Sequence, residues 1–153
     1  MRYLELRVPP PLVALIVAGA MWAIASLPSI WPPPSFVRLW TGVILSIIGI
    51  AVALSGVISF RRAQTTVNPL KPETSTSLVD SGIYARTRNP MYLGMLIVLL
   101  AWAVYLPSAL VLLGPIAFGL FITRFQIIPE ERTLHKLFGA AFVAYTQKVR
   151  RWL

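Results

Sequence analysis

Four long apolar stretches divide this chain of 153 residues, at about residues 12–27, 37–60, 90–106 and 108–128. A helix rises 1.5 Å per residue, so about 20 apolar residues cross a hydrocarbon core of about 30 Å. Only 12% of the residues are charged, about half the share of a soluble domain. The sequence therefore predicts an all-α, polytopic membrane bundle with four transmembrane helices.

Lysine and arginine residues are distributed unequally around these stretches. Thirteen of the fourteen lie near the N-terminus, in the loop between the second and third stretches, or after residue 123, and Arg38 is the exception. Because cytoplasmic loops are enriched in these residues, we expect a multi-pass protein with both termini and the long loop in the cytoplasm. The net charge of +9 then indicates contact with anionic membrane lipids rather than with nucleic acid.

The composition also excludes several kinds of site. The chain has no cysteine and one histidine, His135. It therefore cannot form a disulfide, a thiolate nucleophile, a cysteine-ligated zinc site or a multi-histidine metal site within one chain. No metal is predicted, and His135 is interpreted as a surface residue of the C-terminal helix.

The residues after Pro129 form an amphipathic pattern, which predicts C-terminal helices over 130–150. Its apolar positions are Leu134, Leu137, Phe138, Ala141, Phe142, Tyr145 and Val149. Gly139 is expected to divide the pattern into two short helices. We expect this cap to lie on the membrane surface, to fold back over the cytoplasmic loop as a lid, or to do both. Residues 1–153 are predicted to form one domain, without a cleavable signal peptide.

Two polar clusters are unusual for a simple membrane anchor. The first runs from Ser81 to Gly94 and opens the third stretch, and the second is Glu130-Glu131. The first is typical of a capped helix start with interfacial anchors, but a helix N-terminus also binds carboxylates or phosphates. The glutamates could favour a helix start, pair with Arg124 or Arg132, or bind a ligand.

Taken together, these clusters resemble the isoprenylcysteine carboxyl methyltransferase family of integral membrane methyltransferases, including its relatives among phospholipid methyltransferases. The similarity covers about residue 68 to the C-terminus. The motifs that carry it are Leu78-Val-Asp-Ser-Gly-Ile-Tyr84, Arg88-Asn-Pro-Met-Tyr-Leu-Gly94 and Pro129-Glu-Glu131, followed by Leu134, Phe138-Gly139, Tyr145, Val149 and Arg151-Trp152.

The resemblance implies S-adenosylmethionine as the methyl donor, bound on the cytoplasmic side without a Rossmann domain. A carboxylate such as Glu130 suits the ammonium group or ribose hydroxyls, Arg88 and the helix start suit the carboxylate, and Tyr84 suits the adenine. The cofactor-binding residues that follow are Asn68, Leu78, Val79, Tyr84, Arg88, Asn89, Pro90, Met91, Tyr92, Glu130 and Glu131.

The chain departs from the family pattern at two positions. Asn89 replaces the usual histidine before the proline, and Gln126 occupies the position of an arginine that binds the substrate carboxylate in eukaryotic members. Arg124, two residues earlier, lies about 200° around an α-helix from Gln126. We interpret Arg124 as the candidate catalytic residue that orients the acceptor; the alternatives are an interfacial anchor or a partner of Glu131.

The resulting hypothesis is S-adenosylmethionine-dependent methyl transfer to a lipidic or small hydrophobic acceptor that enters from the bilayer. Methyl transfer from a sulfonium is a direct displacement. It requires that the acceptor be aligned with the methyl group and that water be excluded, and it does not require a catalytic triad. Carboxyl O-methylation of a prenylated thiol compound is the first acceptor chemistry, and N-methylation of an aminophospholipid is the alternative. A non-catalytic membrane protein with the same fold and a nicotinamide-dependent membrane reductase are the other functions considered.

Overall fold

The computed structural model describes residues 4–27, 35–64 and 70–153, and these ranges contain helices and no strand. Asn68 and the proline-rich segment at residues 31–34 lie outside the described residues. The five α-helices of the described ranges are α1 (Pro10–Ala25), α2 (Phe36–Arg62), α3 (Pro90–Tyr105), α4 (Leu113–Ile122) and α5 (Ile128–Lys148). Short 3₁₀-helices cover Pro72–Thr74, Gly82–Ala85 and Ala109–Leu112, and a π-helix covers Thr123–Ile127. The prediction of an all-α fold is confirmed.

Prolines and one serine define the helix starts, as their chemistry requires. Proline has no N–H to contribute, so it is well tolerated in a first helical turn, where α1 has Pro10 and α3 has Pro90. The Ser35 side chain accepts a hydrogen bond from the Arg38 N–H at 3.3 Å and caps α2. At the other end of α3, the Arg38 Nε donates to the Val104 carbonyl at 2.8 Å. Arg38 therefore joins the start of α2 to the end of α3.

Two helices in the described ranges are long and apolar enough to cross a membrane. One is α2, with 27 residues, and the other is the continuous helical run Ala109–Lys148, with 40 residues. The apolar part of this run ends at Ile128, because Glu130, Glu131 and Arg132 follow. The apolar helices α1 and α3 are shorter, with 16 residues each. The number of membrane-spanning helices stays a prediction.

The main core lies between α1, α3 and α4. Met21, Leu99 and Phe118 are among its most buried side chains. Helix α2 packs against α3 along a line of small residues, while its other side leaves residues such as Phe36 and Ile47 exposed. This arrangement fixes the position of the α3 N-terminus, which carries the motif Arg88-Asn-Pro-Met-Tyr-Leu-Gly94.

The C-terminal residues form a second, smaller apolar cluster. Phe142, Tyr145 and Val149 are buried there, and Leu78 of the loop, Leu134 and Phe138 pack against them. The kink that allows this contact is at Gly139, whose φ of 49° and ψ of −121° are not helical. The structure thus shows the expected break at Gly139 and a cap that folds over the loop.

Candidate functional site

A cavity lies between the loop that joins α2 to α3, the N-terminus of α3 and both halves of α5. The empty space within it, which includes open solvent, is about 810 Å³. Nine of the residues expected from the sequence line it: Leu78, Val79, Tyr84, Arg88, Asn89, Met91, Tyr92, Glu130 and Glu131. The two polar clusters therefore meet at one cavity.

Among the other expected residues, neither Pro90 nor Arg124 belongs to the described lining of this cavity. Pro90 is buried in the first turn of α3, between two residues that line the cavity. Asn68 is outside the described residues. Arg124 forms an ion pair with Glu5 at 2.8 Å, and its side chain is 48% exposed. Its orienting role stays a prediction that the cavity geometry does not support.

Gln126 is also absent from the cavity wall. Its side chain is fully buried, and its Nε2 donates to the Val8 carbonyl at 2.7 Å. Neither Gln126 nor Arg124 contacts the cavity, so the described lining offers no cation at this part of the helix.

Glu130 and Tyr92 form the polar centre of the cavity. The Tyr92 hydroxyl donates a hydrogen bond to Glu130 Oε1. Burial raises the pKa of Glu130 to about 8, although this hydrogen bond acts to lower it, and the neighbouring Glu131 carboxylate raises it further. The carboxylate is therefore poised to ionise when a cationic group or a hydrogen-bond donor enters.

Arg88 and Glu131 form the second polar group. The Arg88 Nη2 lies 3.1 Å from Glu131 Oε1, and Arg151 binds the same carboxylate with its Nε at 3.1 Å and Nη2 at 2.7 Å. The Arg88 Nε is buried and has no hydrogen-bond partner among the described residues. A buried N–H without a partner costs free energy, which a bound carboxylate or hydroxyl would recover.

The C-terminal residues hold this part of the site in place. The Asn89 Nδ2 donates to the Arg151 carbonyl at 2.8 Å, and the Arg88 N–H donates to the Arg150 carbonyl at 3.1 Å. The Tyr145 hydroxyl donates to the Tyr84 carbonyl at 2.8 Å. Asn89 thus uses one amide hydrogen to hold Arg151, whose guanidinium binds the Glu131 carboxylate.

Aromatic and aliphatic side chains form the remaining walls. The Tyr84 ring packs edge-on against Phe60, with ring centroids 5.2 Å apart. Burial raises the pKa values of Tyr84 and Tyr145, so both hydroxyls stay protonated. The lining residues that were not expected from the sequence are Phe60, Pro72, Ser75, Ser77, Ile127, Leu134, Phe142 and Tyr145. The apolar stripe after Pro129 was the available signal for the last three, whereas Phe60 and Ile127 lie inside apolar stretches without a distinguishing pattern.

The arrangement matches the groups that S-adenosylmethionine requires. Its ammonium and hydroxyl groups need a carboxylate, its carboxylate needs N–H donors, and its adenine needs apolar walls. Glu130, the buried Arg88 Nε and the Tyr84 and Val79 side chains supply these three kinds of group around one cavity. The described residues contain no group of three or more potential metal ligands.

Comparison with known proteins places these motifs in a family. The family model for phospholipid methyltransferases matches residues 37–141. A probable protein-S-isoprenylcysteine O-methyltransferase of Oryza sativa is 32% identical over 120 residues, which are 74% of this chain and 60% of the rice protein. Protein-S-isoprenylcysteine O-methyltransferase A of Arabidopsis thaliana is 32% identical over 114 residues, 71% of this chain and 55% of the plant protein. No solved structure matches the chain.

A bacterial relative is also similar. An uncharacterised protein of Haemophilus influenzae is 51% identical over 63 residues, which are 41% of this chain and all of that protein. The plant relatives are longer, and the chain spans 60% of the rice protein and 55% of the Arabidopsis protein.

Proposed function

This chain belongs to the phospholipid methyltransferase family, and from that premise we propose that it transfers a methyl group from S-adenosylmethionine to a lipid-like acceptor at the membrane. The observation that carries the proposal is the cavity in which the Glu130–Tyr92 pair lies beside the Arg88 Nε, which is buried and has no partner in the described part of the chain. Such a site can hold a zwitterionic amino acid group next to an adenosine.

The residues of the chain perform binding, orientation and exclusion of water. S-adenosylmethionine would supply a methyl group on a sulfonium: an acceptor with a free electron pair would bond to the methyl carbon as the carbon–sulfur bond breaks, and S-adenosylhomocysteine would leave. Glu130 would accept hydrogen bonds from the ammonium or the ribose, and Arg88 would bind the carboxylate. The aromatic walls and the C-terminal cap would exclude water and align the two reactants.

The charged residues that line the cavity affect which methyl acceptor it can bind. Among its described lining residues the charged groups are Arg88, Glu130 and Glu131, and Arg88 is paired with Glu131. A carboxylate acceptor would need a further cation to offset its buried charge, whereas an amine, which attacks in its neutral form, would need none. The cavity therefore favours the aminolipid as acceptor, and the names of the plant relatives favour the prenylcysteine carboxylate.

We expect S-adenosylhomocysteine to stabilise the purified protein against thermal unfolding in detergent. A ligand that binds only the folded state raises the free energy of unfolding by about 2.7 kcal/mol at a hundredfold excess over its Kd.

Labelled methyl transfer to prenylcysteine and to aminophospholipid substrates then identifies the acceptor, because a methyl ester is labile to base and an N-methyl group is not. A folded protein that shows no shift at millimolar ligand would indicate the non-catalytic alternative.

We further propose that α1, α2, α3 and Ala109 to Ile128 cross the membrane as one domain, with both termini in the cytoplasm. The distribution of arginine and lysine supports this topology. The chain has no cysteine, so single-cysteine variants can be labelled without background. In intact cells, an impermeant thiol reagent should label Ser26→Cys and leave Lys148→Cys unlabelled. The opposite pattern would invert the topology.

A further inference from the structure

The π-helix Thr123–Ile127 directly precedes the residues of α5 that line the cavity. Ile122 and Ile127 are both fully buried, although they are five residues apart. In an α-helix of 3.6 residues per turn, residues five apart point about 140° away from each other. In a π-helix the hydrogen bonds join residues five apart, so these two side chains lie on the same side. Ile127 lines the cavity, and Glu130 follows three residues later.

The N-terminal segment Glu5–Val8 is joined to this π-helix by hydrogen bonds and an ion pair. The Leu6 N–H donates to the Phe125 carbonyl at 3.0 Å, and the Gln126 Nε2 donates to the Val8 carbonyl at 2.7 Å. The Glu5 carboxylate binds Arg124 at 2.8 Å and Arg132 at 2.7 Å, one residue within the π-helix and one beyond it.

We propose that Gln126 is a positioning residue of the site: by binding the Val8 carbonyl it holds the N-terminal segment against the π-helix, and this contact keeps Ile127 and Glu130 turned toward the cavity. If the π-helix reverted to an α-helix, the residues after it would rotate by about 100°, the angle of one residue. Glu130 would then leave Tyr92. The proposal rests on the proposed function only in treating the cavity as the ligand site.

A substitution of Gln126 can test its positioning role separately from its contribution to the stability of the protein. Its Oε1 is buried and has no hydrogen-bond partner among the described residues. Leaving such an oxygen unpaired costs free energy. Gln126→Met keeps the side-chain length and removes this cost together with the bond to Val8, so the two effects on stability oppose each other. The loss of positioning has no such compensation.

We expect Gln126→Met to keep an unfolding temperature close to that of the wild type but to bind S-adenosylhomocysteine at least tenfold more weakly. Its affinity should also lose the rise with pH between about 6.5 and 8.5 that ionisation of Glu130 gives the wild type. Glu5→Gln, which weakens both ion pairs of the segment, should change binding in the same direction by a smaller factor. Thr133→Val is the control, because it removes a side-chain hydrogen bond within α5, to Pro129, without touching the segment.

Hydrogen exchange of the backbone amides of residues 122–131 provides a measurement that needs no ligand. It should be faster in Gln126→Met than in the wild type and unchanged in Thr133→Val. Unchanged exchange in Gln126→Met, or an affinity with the wild-type pH profile, would overturn the proposal. If the wild type bound no S-adenosylhomocysteine, the proposed function would fail while the exchange comparison still decided the role of Gln126.

Discussion

Replacing Glu130 by glutamine is expected to lower the affinity for S-adenosylhomocysteine by about a hundredfold. Glutamine has the same shape and can still accept the hydrogen bond of the Tyr92 hydroxyl, so the cavity keeps its form. The variant loses the charge that binds the ammonium or ribose of the ligand, and a hydrogen bond to a charged group contributes about 1.5–3 kcal/mol. Isothermal titration in detergent at about pH 8 measures the effect, because the wild-type carboxylate ionises in that range.

The same substitution should make the protein more stable at high pH. In the folded protein the pKa of Glu130 is raised to about 8, from 4.5. The folded state therefore holds this proton more tightly than the unfolded chain, and stability falls as the pH rises from about 4.5 through about 8. The glutamine side chain does not titrate, so the Glu130→Gln variant should gain in unfolding temperature over the wild type between about pH 5 and pH 8.5.

A variant that is more stable but does not bind cannot owe its defect to misfolding. Glu73→Gln provides the control, because Glu73 is exposed on the Pro72–Thr74 helix. It should leave the affinity for S-adenosylhomocysteine unchanged. If the Glu130→Gln variant bound S-adenosylhomocysteine with wild-type affinity, the Glu130 carboxylate would not be part of the ligand site.

The motifs of the candidate site could be recognised in the sequence because each is a local pattern. Polar residues before Pro90 and the adjacent carboxylates at 130–131 are conspicuous in an apolar chain, and their meeting at one cavity agrees with the predicted cofactor site. The apolar stripe after Pro129 similarly predicted a cap, and its contact with Leu78 made it part of the cavity wall.

The residues that sequence reasoning missed depend on irregular or distant contacts. In an α-helix of 3.6 residues per turn the Arg124 and Gln126 side chains would point about 200° apart. Both residues lie in a π-helix, where that angle does not apply. Ile127 reaches the cavity for the same reason. Arg151 binds Glu131 from 20 residues away, and Glu5 binds Arg124 from 119 residues away. No periodic pattern in the sequence encodes such pairs.

The contact between α2 and α3 depends on two glycines that face each other. A Cβ atom at Gly49 would lie 2.7 Å from the Gly94 carbonyl oxygen, and one at Gly94 would lie 2.7 Å from the backbone nitrogen of Ala53. Distances this short force the two helices apart, because backbone atoms cannot move aside as a flexible side chain can. The structure thus identifies α3 as the helix against which the glycines of α2 pack.

We therefore expect Gly94→Ala to lower the unfolding temperature in detergent by on the order of 5–10 °C, since overpacking costs about 1–3 kcal/mol or more. Ligand affinity should fall as well, because Phe60 of α2 and Met91 of α3 line the same cavity. Gly119→Ala is the matched control: it is also in a helix, but a Cβ there would meet nothing within 4 Å. That variant should be as stable as the wild type or slightly more so, with unchanged affinity. Equal behaviour of the two alanine variants would mean that the close approach of α2 and α3 does not hold the site together.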